Sequence, residues 1–106
     1  MVFSYGEGEY VQGETRLRGQ ILLSEHKLYL RDGQRELSQT FIPLEKIKRV
    51  RRSSDFLEVD VELSVVIQYA ARIKGEGKQI TDLCKDLVSA RGLKKRFFRR
   101  EWHEEL

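Results

Sequence analysis

Two basic stretches contain most of the side chains that could bind a ligand in this chain of 106 residues. The first, residues 46–52, has five cations, including Lys48, Arg49, Arg51 and Arg52. The second, residues 94–100, has the five cations Lys94, Lys95, Arg96, Arg99 and Arg100. Ammonium and guanidinium groups at this density bind phosphates and carboxylates. Because the formal net charge is +3, the other residues sum to −7, and the two stretches are basic patches on an acidic protein.

The first stretch has two interpretations. Its four named cations could hold an anionic lipid headgroup or another phosphate group. Alternatively, they pair across neighbouring strands with an acidic row: Glu58, Asp60 and Glu62. The sequence favours pairing, because the acidic row follows closely in the chain and because Arg52 points away from Arg49 and Arg51 in an extended strand.

The second stretch belongs to the C-terminal segment KKRFFRREWHEEL, residues 94–106. Nucleic-acid binding would use its aromatics for stacking and its arginines for phosphates, but the three glutamates argue against this interpretation. A membrane-surface helix would use the same basic and apolar faces, but the segment is short and its end is acidic. The third interpretation is a helix that presents its aromatic residues to a partner protein or to a second copy of the chain.

Helix geometry favours the third interpretation. At about 100° per residue, Phe98 and Trp102 fall on the same stripe as Ile80 and Cys84. We therefore predict partner contacts at Phe97, Phe98 and Trp102, with Lys95, Arg96, Arg99 and Arg100 steering an acidic partner. Whether the helix continues through Gly92 is undecided by the sequence, and a break there would leave the segment free to fold back onto the body of the protein.

The residues typical of catalysis are few. Cys84 lies on the apolar stripe of a predicted helix, where a small core residue is expected. His26 falls in a predicted turn and His103 near the C-terminus, and both are expected to be solvated rather than catalytic. Zinc needs four nitrogen or sulfur ligands at suitable spacing, or three and a water, and the chain has no plausible set. We predict a protein that is not an enzyme, with no cofactor, no metal and no small-molecule substrate.

Composition is that of one ordered domain. The chain is 40% hydrophobic and 35% charged, and its longest apolar runs are three residues, at 21–23 and 65–67. These runs are too short for a membrane span or a signal peptide, and the single cysteine excludes an internal disulfide, so we expect a cytoplasmic protein. The expected organisation is a domain at residues 1–91 followed by a helical extension or tail at 92–106.

Alternation of apolar and polar residues predicts antiparallel strands over most of the chain. It runs from Thr15 to Ser24 and continues through Leu28 and Leu30 to a hairpin turn at residues 32–33. The segment LSQTFIPL is predicted to be the returning strand, and residues 45–52 a turn followed by a short strand. The first 14 residues are glycine-rich, and only a short strand is expected there, near Phe3–Tyr5.

The longest alternating stretch extends from Leu57 to Tyr69, with every second residue apolar and therefore expected in the core. It forms either one bent strand or two strands that turn near residues 62–64. After glycines 75 and 77 the period becomes helical, with a buried stripe expected at Ile80, Leu83, Cys84, Leu87 and Val88. Gly92 is placed to end this helix.

The order GQILLSEHKLYLRDG, then FIPLEKIKRV, resembles the core motif of GRAM and other pleckstrin-homology-like domains. The matching positions are Gly19, Ile21, Leu23, Ser24, Leu28, Leu30, Ile42, Pro43, Leu44, Ile47 and Val50. The resemblance covers residues 15–90 and implies a split barrel of about seven antiparallel strands capped by one amphipathic C-terminal helix. The same motif is more weakly similar to the N-terminal region of archaeal taxis adaptor proteins of the CheF type, which are longer.

These observations predict a cytosolic interaction module with an adaptor or scaffold role that binds a protein partner or itself. The alternative is a domain that binds anionic lipid or a membrane surface through Lys48, Arg49, Arg51 and Arg52.

Overall fold

The protein is mainly β, with one open antiparallel sheet and a helix packed against it. A computed structural model describes residues 1–93 and 102–104. The strands in these ranges are β1 (Phe3–Gln12), β2 (Thr15–Leu23), β3 (Lys27–Asp32), β4 (Arg35–Glu36), β5 (Ile42–Pro43), β6 (Ile47–Arg52), β7 (Phe56–Glu62), β8 (Gln68–Lys74) and β9 (His103–Glu104). Helix α1 spans Gly77–Arg91. The predicted fold class, a β-rich split barrel with one C-terminal helix, is confirmed.

The sheet follows the order β4-β3-β2-β1-β8-β7-β6-β9, and β5 pairs with β3. Consecutive strands are neighbours along most of this order, as expected for hairpins. Two junctions are exceptions: β1 pairs with β8, which brings the first strand beside the last long one, and β6 pairs with β9. Strand β6 would be the end of the sheet without β9, so the C-terminal residues 103–104 cover its outer edge.

Strand β1 is much longer than predicted. It pairs with β2 along most of its length and with β8 near its end, and both Tyr5 and Tyr10 are buried. Its glycines serve close packing rather than a loose loop: a Cβ at Gly8 would lie 2.4 Å from both Ile21 Cδ1 and the Lys74 carbonyl oxygen. The prediction of a short strand at Phe3–Tyr5 was therefore wrong in extent.

The predicted returning strand LSQTFIPL is mostly irregular. Residues Ser38–Thr40 form a turn of 3₁₀ helix, and only Ile42–Pro43 pairs with β3. Thr40, which is fully buried, supplies hydrogen bonds that a strand would otherwise make. Its hydroxyl accepts from the backbone N–H of Leu30 at 2.8 Å and donates to the carbonyl of Leu37 at 2.6 Å. This side chain holds the segment against β3 without a continuous ladder.

The alternating stretch 57–69 forms two strands, β7 and β8, with a turn at residues 63–67. The expectation that Leu63, Val65 and Ile67 lie in the core is wrong, since 38%, 86% and 54% of their surface is exposed. The chain reverses after Glu62, where the backbone N–H of Leu63 donates to the Ile67 carbonyl at 2.9 Å. Alternation places a residue in the core only while the strand continues, so the pattern loses this meaning at the turn.

Helix α1 packs its apolar stripe onto the sheet as predicted. Its buried residues are Ile80, Leu83, Cys84, Leu87 and Val88. The helix ends at Arg91, and the next residue, Gly92, has a φ of 76°. The N–H groups of Gly92 and Leu93 donate to the carbonyls of Ser89 and Val88 at 3.3 and 3.0 Å, and Leu93 is buried.

These contacts form a Schellman motif, in which the residue after the glycine packs back on the last turn of the helix. The unbroken helix that would place Phe98 and Trp102 on the core stripe is therefore contradicted at Gly92.

Candidate functional site

Among residues 1–93 and 102–104, the largest group of exposed apolar side chains is on the loop between β7 and β8, residues Leu63–Ile67, which we call the apolar tip. Val65 and Val66 are 86% and 87% exposed. The loop is held by its own hydrogen bonds: the Ser64 hydroxyl accepts from the backbone N–H of Ile67 at 3.1 Å. Four aliphatic side chains are thus presented to solvent on an ordered turn, an arrangement typical of a surface that binds another molecule.

Sequence reasoning missed the apolar tip because it assigned these residues to the core. The available signal was the run Val65–Ile67, which breaks the alternation by placing three apolar residues in succession. Three adjacent apolar residues cannot all face one side of a strand. No glycine or proline marks the turn, and its backbone has no residue with positive φ, so the usual turn signals are absent.

The outer face of β6 brings the first basic stretch together with the acidic row of β7. Lys48 pairs with Glu62 at 3.0 Å, and Arg49 Nε donates to Asp60 at 2.7 Å. Further along the strand, Arg51 Nη2 donates to Glu58 at 3.0 Å. This pairing was the favoured interpretation of the sequence and is confirmed.

A bulge explains why two neighbouring residues of β6 share this face. Ile47 pairs with Val61 and Arg49 with Asp60, so Lys48 is the extra residue between the two pairs. Lys48 and Arg49 both reach carboxylates of β7 as a result. Together with Gln68 and Tyr69, they line an open groove of about 820 Å³ that also contains Glu104.

Trp102 lies against the same face. The guanidinium carbon of Arg49 is 3.9 Å from the centre of the indole ring, and that of Arg51 is 4.4 Å away. The following residues form β9, in which Glu104 pairs with Arg49 and His103 with Val50. Glu104 Oε1 also lies 3.5 Å from Arg49 Nη1. Residues 102–104 therefore lie on the sheet, as the sequence allowed for a break at Gly92.

Electrostatics around β6 are balanced rather than strongly positive. The hydrogen bond that Arg49 donates to the Asp60 carboxylate raises the pKa of the Arg49 guanidinium above its ordinary value, and Glu104 adds to this effect. Glu58 also faces Arg72, whose Nη2 lies 3.6 Å from its carboxylate. A phosphate group would have to compete with these carboxylates for every arginine of the face.

The other residues predicted to bind ligands are dispersed or outside the described residues. Arg52 lies apart from Arg49 and Arg51, and its Nη1 donates to the Thr81 hydroxyl of α1 at 3.1 Å. Lys95, Arg96, Phe97, Phe98, Arg99 and Arg100 lie outside the described residues, so their predicted partner contacts stay predictions. Of that predicted set, Trp102 is placed, and it is partly buried by contacts within the chain.

Reactive groups in the body of the fold are enclosed. Cys84 is buried, as predicted, and burial raises the pKa of its thiol to about 11. The Tyr5 hydroxyl donates to Asp86 Oδ2 at 2.6 Å, and burial followed by this carboxylate raises the pKa of the phenol. Within residues 1–93 and 102–104, no helix has both the length and the apolar character to span a membrane.

In comparisons with known proteins, no protein-family model and no curated protein matches the chain.

Proposed function

We propose that this protein is a non-enzymatic cytosolic interaction module that binds a partner protein through the apolar tip. The observation that carries the proposal is the exposure of Val65 and Val66, at 86% and 87%, on a turn held by Ser64. The PH-like resemblance of residues 15–90 supports the same class of function, since it implies antiparallel strands followed by one helix, and residues 1–93 have that content.

The tip has enough apolar surface to matter for binding. Full burial of an aliphatic side chain contributes about 1.5–3 kcal/mol, so Val65, Val66 and Ile67 could together supply a large part of the roughly 8 kcal/mol of a micromolar complex. The turn is already ordered by hydrogen bonds of Leu63 and Ser64 to Ile67, so little conformational entropy is lost on binding. The complementary partner surface is an apolar pocket or groove.

An anionic membrane surface is the alternative ligand. An interfacial apolar element gains affinity for anionic lipid from unpaired cations beside it. Here the residue preceding the tip is Glu62, which pairs with Lys48, and the carboxylates of Asp60 and Glu58 occupy Arg49 and Arg51. These pairs favour a protein partner over lipid, and they weigh equally against nucleic acid.

The test is the double variant Val65→Ser/Val66→Ser, with Val2→Ser as the control. Val2 is also an exposed valine, at 52%, but it is at the N-terminus. Both variants should unfold within about 0.5 kcal/mol of the wild type, since neither removes a core contact. A photo-crosslinking residue at position 66, introduced in the cells that make the protein, identifies the partner, with position 2 as the reference site.

Binding of the purified partner is then measured by titration calorimetry. We expect the double variant to bind about 30-fold or more weakly and Val2→Ser to bind as the wild type does. Equal affinity of all three chains would refute the proposal. Sedimentation with neutral and anionic liposomes completes the test. Salt-sensitive pelleting that is lost in Lys48→Glu/Arg49→Glu would support the lipid alternative instead.

A further inference from the structure

Strand β6 has an outer edge that the chain covers with its own C-terminal residues. The edge is the side of β6 away from β7, and it pairs with β9 through Arg49–Glu104 and Val50–His103. Continuing this antiparallel register by one residue sets Trp102 opposite Arg51. An edge strand offers unpaired backbone groups to any extended segment, and here such a segment is already in place.

The side chains of this segment fit β6 by spacing as well as by charge. Trp102 and Glu104 are two residues apart, so in an extended strand they point to the same face. On that face the indole is 3.9 and 4.4 Å from the guanidinium carbons of Arg49 and Arg51, and the Glu104 carboxylate is 3.5 Å from Arg49. The two arginines thus recognise an aromatic residue followed, two positions later, by a carboxylate.

The contacts that hold the segment are weak and exposed. The side chains of Arg49 and Glu104 are 39% and 48% exposed, and an ion pair of this kind contributes about 0–1 kcal/mol. Cation–π contacts at exposed sites add about 0.5–1 kcal/mol each. A segment of the same chain is held at such a site mainly by its high effective concentration, which is on the order of millimolar. A strand with more contacts could therefore displace it.

We propose that the β6 edge is a binding site for an extended segment of a partner protein with an aromatic residue and, two positions later, an acidic residue. Trp102–Glu104 is the intramolecular occupant of this site, and the partner segment replaces it by pairing antiparallel to β6. This site is separate from the apolar tip and takes a different ligand, so either proposal can fail alone.

The test uses the full chain and a fluorescein-labelled peptide with the sequence of residues 101–106, EWHEEL. In the wild type, the peptide must displace Trp102–Glu104. In Trp102→Ala, the edge is vacated. If the tethered segment occupies the edge about nine-tenths of the time, the peptide should bind about tenfold more tightly to the variant, as fluorescence anisotropy would show. Equal affinity for the two chains would overturn the proposal.

Two matched arginine variants, made in the Trp102→Ala chain, locate the peptide. Arg51→Gln removes a guanidinium that contacts the indole, whereas Arg52→Gln removes the next one along the strand, which bonds to Thr81 instead. We expect Arg51→Gln to weaken peptide binding about two- to fivefold and Arg52→Gln to leave it unchanged. Equal effects of the two variants would place the peptide elsewhere and refute the site.

Tryptophan emission and a second variant keep the proposal testable if Trp102→Ala does not fold. Trp102 is the protein's single tryptophan, so its emission reports directly on the segment. Should Trp102→Ala fail to fold, Glu104→Lys is the substitute variant, because its lysine is repelled by Arg49 and releases the segment. The emission of Trp102 should then shift to the red, and the peptide should bind more tightly than to the wild type. A wild-type peptide affinity for Glu104→Lys would contradict the proposal.

Two further measurements distinguish the β6 edge from the apolar tip and from a dimer interface. Peptide binding to Val65→Ser/Val66→Ser should equal binding to the wild type, since the tip is not involved, and a loss there would refute a separate site. Light scattering over a range of concentrations should show a monomer. A dimer that exchanges C-terminal segments would assign the edge to a second copy and overturn the proposed partner protein.

Discussion

Replacement of Gly92 by alanine tests what determines the path of the C-terminal segment. Gly92 follows helix α1 with a φ of 76°, a conformation that costs an alanine about 1–2 kcal/mol. Apart from its chain neighbours, no atom of residues 1–93 and 102–104 lies within 4 Å of the position that its Cβ would take, so the cost among these residues is conformational rather than steric. The chain can either retain the helix end and bear this strain or extend the helix through residue 92.

The burial of Leu93 decides between these outcomes. In an extended helix Leu93 would lie at about 220° from Ile80, on the side away from the core stripe. Its side chain is 6% exposed in the observed structure, and exposing a buried leucine costs about 1.5–3 kcal/mol. Because this loss is larger than the strain, Gly92→Ala should keep the helix end and lose about 1–2 kcal/mol of unfolding free energy. For a domain of this size the Tm falls by about 5–9 °C.

Thermal unfolding by circular dichroism and the emission of Trp102 provide the measurements. Gly33→Ala is the matched control, since Gly33 has a φ of 64°, also without atoms within 4 Å, in the turn after β3. It should lose a similar amount of stability. Gly92→Asn should lose less, because asparagine tolerates the left-handed region better than alanine. The emission of Trp102 should stay as in the wild type in all three variants.

The opposite result would refute the reasoning. If Gly92→Ala unfolds at the wild-type temperature and the emission of Trp102 shifts to the red, the helix has continued through residue 92. Trp102 would then lie on the extended helix, and burial of Leu93 would be too weak to hold the end of α1.

Three further predictions concern buried groups of the fold. Thr40→Val should lower the free energy of unfolding by about 1–3 kcal/mol, because it leaves the backbone N–H of Leu30 without a partner. The carbonyl of Leu37 loses the hydroxyl but still accepts from the backbone N–H of residue 40 at 2.8 Å. Urea denaturation checks this, and an equal loss in Thr40→Ser would contradict it. Burial raises the pKa of Tyr10 to about 12, so the unfolded chain releases this proton from about pH 10 while the folded chain retains it. The free energy of unfolding of the wild type should therefore fall between pH 10 and pH 12, and it should fall less steeply in Tyr10→Phe. Identical slopes for the two chains would argue against this assignment. Cys84, whose pKa is raised to about 11 by burial, should react with a thiol reagent at pH 8 far more slowly in the folded protein than in urea, and equal rates would mean that the thiol is accessible.

Helix α1 and the pairing of β6 with β7 could be predicted from the sequence because both depend on short-range patterns. The stripe from Ile80 to Val88 has the helical period, and all five of its residues are buried as expected. The acidic row follows the basic stretch closely in the chain, with one turn between them, so a hairpin brings opposite charges face to face. Periodicity and charge carried the information in both cases.

The extent of β1 and the position of the apolar tip could not be predicted in the same way. The glycines of β1 are compatible with a loop, and only the close approach of Ile21 and Lys74 to Gly8 shows why the strand needs them. The turn at residues 63–67 has no glycine or proline, and residues 63, 65 and 67 continue the alternation of β7, which only Val66 interrupts. Non-local packing decides both features, and one interruption of the alternation, at Val66, is too weak a signal to separate an exposed turn from a core strand.

Local patterns were enough to predict the strand-rich fold class, the buried face of the helix and the neutralisation of the basic stretch, because each arises from residues close together in the chain. Local patterns left the position of Trp102 undecided. In a continued helix this residue would lie on the same side as the core stripe, and in an extended segment it can pair with a strand equally well. Contacts between distant residues make the choice: Leu93 is buried only when the helix ends at Arg91, and the edge of β6 offers two guanidinium groups to the indole.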